Sequence, residues 1–135
     1  MDELEMFVQG QRVRLWLRYS WEMAAYREEL SDIAAVKEKL EIVDVARRQR
    51  MTWGEIARHI GYAAPDSDWS KVGKTLHNWH RHHSTREAVE DRSAREDGAL
   101  TGLEHAEQQF DLIDDAAAAL GADEFNAQMA RDNAP

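Results

Sequence analysis

The sequence predicts an all-α protein, and three observations carry that prediction. Apolar residues recur at steps of three and four along most of the chain, the spacing of one face of an α-helix. Only two of the 135 residues are Pro and seven are Gly, so few positions interrupt a helix. No segment alternates apolar and polar residues as a half-buried strand would. The architecture expected is long N-terminal helices, a central group of shorter helices, and an acidic C-terminal helix with a loose tail.

The N-terminal region, residues 1–50, carries its apolar stripe at Leu15, Tyr19, Met23, Tyr26, Leu30, Ile33, Val36, Leu40, Val43 and Ala46. Gly10 separates a short leading turn that holds Leu4, Phe7 and Val8. Ser31-Asp32 follows Leu30 and offers an N-cap, which predicts two helices here. No Pro precedes position 65, so one continuous helix is the alternative. The cluster Trp16, Tyr19, Trp21 and Tyr26 reads as core or subunit-contact material, and it makes a homodimer an expectation.

The next start signal is Thr52-Trp53-Gly54-Glu55. This is a T-x-x-E capping box, in which Thr52 accepts from the Glu55 amide while Glu55 reaches back. Ile56, Ala57 and Ile60 share one face of the short helix behind it, and Gly61 suits a left-handed C-terminal cap. A connection from Tyr62 to Trp69 contains the turn residues Pro65-Asp66-Ser67-Asp68. Asp68 or Ser67 then caps a further helix with Val72, Leu76 and Trp79 on its apolar side. At ~100° per residue the opposite side presents Ser70, Lys74, His77, Asn78 and Arg81, with Lys71 and His82 flanking. The polar stretch 84–97 is either an extension of that helix or a linker. After Gly98 a seam of Leu103, Ala106, Phe110, Ile113, Ala117 and Leu120 predicts an acidic amphipathic helix over 98–121 with heptad-like steps. Residues 122–135 are expected to fray.

Charge is distributed unevenly. The chain as a whole carries −9. Residues 1–44 hold 6 Lys/Arg against 10 Asp/Glu, residues 45–86 hold 8 against 3 together with five of the six His, and residues 87–135 hold 3 against 13. A basic centre lies between acidic flanks, so the net value does not exclude a polyanionic partner.

The central passage ARRQRMTWGEIARHIGY resembles the first-helix to second-helix stretch of bacterial and phage helix-turn-helix regulators. The resemblance covers roughly residues 40–83, and a domain over 40–86. Ala57 stands where that family has the small residue that permits close helix packing, Gly61 where it has the turn glycine, and Ile56 and Ile60 at the flanking aliphatic positions. The family's three- to four-residue turn is expanded here to about eight residues, Tyr62 to Trp69, which leaves the angle between the two helices open. The resemblance implies a sequence-specific, double-stranded-DNA-binding protein, a small transcriptional regulator or phage-type repressor reading the major groove with the helix around residues 69–83. On that reading Lys74, His77, Asn78 and Arg81 face bases. Arg47, Arg48, Arg50, Thr52, Ser70, Lys71 and Arg86 face phosphates, Thr52 by way of the free amides at its helix start.

The competing reading is a small acidic helical module that binds and inhibits or adapts another macromolecule. The C-terminal helix is the part suited to a protein partner, since a strongly negative segment is drawn to basic surfaces. No metal site is expected. His77, His80, His82 and His83 lie close together, but no nearby carboxylate beyond Asp66 and Asp68 completes a ligand set, and H-E-x-x-H is absent. The chain has no Cys and no P-loop, G-x-G-x-x-G or G-x-S-x-G motif. Neither an enzyme nor a cofactor is expected. No apolar run approaches the ~20 residues of a membrane span, and the N-terminus is acidic, so the expected location is the cytoplasm.

Overall fold

The computed structural model describes residues 3–120, 127 and 129–132, with side chains from Gly10 to Asp115 and at 127 and 129–132. The fold is all-α, with no strand among the described residues. Helix α1 spans Glu3–Arg48, α2 Trp53–His59, α3 Trp69–Ser84 and α4 Arg86–Leu120. The chain divides into two compact units. One comprises Met1–Leu30 with Gly98–Pro135, the other Ser31–Asp97.

Three expected interruptions differ from the structure. Helix α1 passes through Gly10 and through Ser31-Asp32 without a break. A single Gly lowers helix stability by only about 1 kcal/mol and does not end a helix. Ser31 and Asp32 are exposed, and the buried positions Met23, Ile33, Leu40 and Val43 continue past them at helical spacing. Packing along that stripe outweighs a local capping preference. Among the described side chains the stripe includes buried Val13, whereas Leu15 is exposed. Helix α4 likewise begins at Arg86 and runs through Gly98, so 84–97 is neither an extension of α3 nor a linker. The cap that starts it is Thr85, extended at φ −64° and ψ 153°, whose Oγ1 accepts from the Ala88 amide at 3.1 Å. Arg92 Nη1 donates to the His83 carbonyl at 3.1 Å, satisfying a C-terminal oxygen of α3.

In the unit 31–97, Val43, Ile56, Ala57 and Leu76 form the buried core, with Ala46, Met51, Trp53, Trp69, Val72 and Trp79 packed around it. Both short helices bring an apolar face to α1, as their spacing requires. Lys37 on α1 and Glu96 on α4 pair at 3.1 Å.

In the other unit, Val13, Met23, Ala99, Ala106 and Ile113 are buried. The heptad seam of α4 therefore starts at Ala99 and continues through Ala106 to Ile113, with Leu103 and Phe110 half-buried. Ala117 and Leu120 lie within α4, but their side chains, like those of Leu4, Phe7 and Val8, lie outside the description, as do the expected helix end at Gly121 and most of the 122–135 tail, of which 127 and 129–132 are helical. Trp16, Tyr19 and Met129 pack against Ile113, and the Trp16 and Phe110 rings lie 6.4 Å apart. Gly102 faces the Tyr26 ring, which fills the space a Cβ would need.

Candidate nucleic-acid interface

The site is assembled around two connections, α1 to α2 and α2 to α3, which between them carry four helix caps. At the end of α1 the Met51 amide donates to the Ala46 carbonyl at 3.3 Å and the Arg50 amide to Arg47 at 3.0 Å. This is a Schellman turn with Arg50 in its left-handed position, φ 64°. Thr52 then caps α2, its hydroxyl accepting from the Glu55 amide at 3.1 Å. The reciprocal half of the capping box does not form, since the Glu55 carboxylate makes no return bond among the described residues. At the other end of α2 the Tyr62 amide donates to Ala57 at 3.0 Å and the Gly61 amide to Arg58 at 3.2 Å. This second Schellman turn sets Gly61 at φ 69°, as its glycine suggests. Asp68 caps α3 through the Ser70 amide at 3.1 Å.

Helices α2 and α3 meet backbone to backbone. A Cβ on Gly73 would lie 2.6 Å from the Gly54 nitrogen, and one on Gly54 would lie 2.9 Å from the Trp69 carbonyl oxygen. Ala57 is fully buried in the core, while at these two glycines the backbones leave no room for a Cβ between the helices. Beside them opens a cleft of about 490 Å³ lined by Trp53, Trp69, Arg58, Ser70, Lys74 and His77 among others, with Glu55 and Thr52 also on its wall.

Trp53 is the hub of this surface. The His77 ring stacks on it at 4.4 Å and 13°, His80 leans on it at 5.3 Å, and the Arg47 guanidinium lies 5.0 Å from its ring centre. Arg47 also donates to the Met51 carbonyl at 2.8 Å. His80 is tied to Asp44 of α1 at 2.7 Å. These contacts fix the end of α1, the start of α2 and the middle of α3 to one aromatic ring.

Of the sequence-predicted residues, Thr52, Ser70, Lys74 and His77 come together around the cleft. Arg47 adjoins it through Trp53. Lys71, Asn78 and Arg81 are exposed on α3, and Arg48 and Arg50 are exposed where α1 ends. Arg86 stands apart on α4, paired with Glu90 at 2.9 Å. Lys71, Lys74 and Arg81 form no ion pair among the described residues.

Trp53, Trp69, Arg58 and the glycine pair were not among the sequence candidates. Each Trp directly follows an N-cap, and Gly73 interrupts an otherwise good helical pattern; that placement was the available signal. His83, at the end of α3, is half-buried. Burial, then His82 and Arg92 nearby, hold its pKa below the usual value of 6.5. Its ring lies 5.0 Å from Trp79, so it belongs to the packing at the end of α3. No group of three or more His, Cys, Asp or Glu is placed to hold a metal among the described residues. No helix among them is long and apolar enough to cross a membrane. In comparisons with known proteins, no family model, curated protein or solved structure matches the chain.

Proposed function

We propose that the unit 31–97 binds double-stranded DNA, with α3 entering the major groove, and that the protein acts as a small transcriptional regulator of the phage-repressor kind. The observation that carries this reading is the outward side of α3. Helix α3 contains no acidic residue at all, and it exposes Ser70, Lys71, Lys74, Asn78 and Arg81, its three cations forming no ion pair among the described residues. An unneutralised cationic helix face with an amide side chain in its middle is what groove reading needs. Lys or Arg pairs with guanine O6 and N7, and Asn pairs with adenine N6 and N7. Arg47 and Arg48 at the end of α1, with Arg50 beyond them, add charge that suits phosphates.

A second reading draws on the cleft. Two tryptophans beside Arg58 and Lys74 also suit an acidic, apolar segment of a partner protein, and the Glu55 carboxylate on the same wall opposes a phosphate.

The two readings part on two substitutions. Fluorescence anisotropy with sites selected from random duplexes, repeated at two salt concentrations, measures the binding. Arg81→Ala and Asn78→Ala are expected to weaken specific binding by about 1–3 kcal/mol each and to relax the preference at one base pair. Both side chains are exposed, so thermal stability should stay within about 0.5 kcal/mol. Unchanged DNA affinity in both variants overturns the DNA reading in favour of the protein-binding one.

A further inference from the structure

Trp21 projects from the middle of α1 with 78% of its surface exposed. Steps of three and four place Arg14, Leu17, Ala24 and Glu28 on the same side of the helix, and all of them are exposed. The stripe is not consumed by the core of its own unit, which α1 enters through Val13 and Met23 with Trp16 and Tyr19. Leu17 extends the apolar surface at 43% exposure. Arg18 and Glu22 pair with each other alongside at 3.3 Å. Arg14 and Glu28 form no ion pair among the described residues.

The order of charges along this stripe is informative. A cation stands two helical turns before Trp21 and an anion two turns after it, at equal separations. A parallel copy of the helix would set Arg14 against Arg14. An antiparallel copy, rotated about a two-fold axis through Trp21, sets each Arg14 opposite the partner's Glu28, so one axis satisfies both ends. Such a patch is self-complementary, as an isologous dimer contact must be. Trp is also the residue type that most often anchors the centre of an interface. We propose that this stripe binds a second copy of the chain, α1 against α1 in antiparallel orientation, with the Trp21 rings meeting at the axis. The proposal is independent of DNA binding, and its test contains no DNA.

Sedimentation equilibrium of the full chain, over about 1–100 μM, reads the association constant directly. A dimer is expected. Trp21→Ala should raise Kd by about 30-fold or more, the loss of a central anchor, with helicity by circular dichroism unchanged because the ring is exposed. Arg14→Glu and Glu28→Arg should each raise Kd by about 5- to 10-fold, and the double exchange should return it to within about 2-fold of the original. A monomeric wild-type chain overturns the proposal. So does a Trp21→Ala chain that associates as before, or a double exchange that fails to recover.

Discussion

At the scale of single residues, Trp53 and His83 show how one ring can be used in opposite ways. Trp53 gathers three cationic or titratable side chains on its faces, which anchors the candidate interface from below. His83 instead gives up charge to packing. Its lowered pKa means that the folded state prefers the neutral ring. The stability that ring contributes is fully present above the unfolded value near 6.5 and is lost as pH falls from there through the folded value. The melting temperature of the wild type should therefore fall between neutral and mildly acid pH more steeply than that of His83→Gln, whose side chain cannot protonate. Parallel declines in the two proteins would remove this role. Gly73 is the other residue with a sharp consequence. A methyl group there meets the Gly54 backbone at 2.6 Å, which cannot swing aside as a side chain would. Gly73→Ala should cost about 2–3 kcal/mol in denaturant unfolding, in the range of overpacked cores.

Among the elements, the long helices were legible in periodicity and not in their punctuation. The spacing of Met23, Ile33, Leu40 and Val43 marks the buried side of α1 correctly, and Thr52, Gly61 and Asp68 mark the ends of α2 and α3 by their capping chemistry alone. Ser31-Asp32 and Gly98 carry the same local chemistry as true helix ends, yet the chain runs helically through them. A cap residue states only that a helix can start there. Whether it does depends on whether the buried stripe continues, which is a property of the packed molecule. The candidate interface divides in the same way. The outward face of α3 follows from ~100° per residue, whereas the stacking of His77 on Trp53 and the glycine contact need the third dimension. Gly98 offers a test of the continuous α4. It is exposed and nothing lies within 4 Å of a Cβ built on it. Gly98→Ala should therefore raise stability by about 0.5–1 kcal/mol, the helical advantage of Ala, in contrast to Gly73→Ala. A loss of stability would mean that the helix is not continuous there.

For the whole molecule, a net charge of −9 and a DNA-binding proposal are compatible because affinity follows local phosphate neutralisation. The long-range field of an acidic protein slows approach to a polyanion, and salt screens that field beyond about 10 Å at 0.1 M. What remains is counterion release by the few cations in contact. Arg48 is exposed at the end of α1 and stands outside the proposed base-reading face. Arg48→Ala should weaken binding to all duplexes alike and reduce the slope of log affinity against log salt by about one. A sequence-selective loss would instead place Arg48 among the base readers.

The backbone contact between Gly54 and Gly73 bears on how such a protein changes over generations. The two residues at the close backbone contact between α2 and α3 have no side chains, and the outward side chains of α3 take no part in that contact. On the proposed reading, recognition and posture are thereby encoded at separate positions. A library randomised at Ser70, Lys71, Lys74, Asn78 and Arg81 should consist mostly of folded members that differ in what they bind. One randomised at the two glycines should be mostly lost to proteolysis. On the proposed DNA-binding reading, the preference of this surface can be rewritten while its scaffold stays frozen.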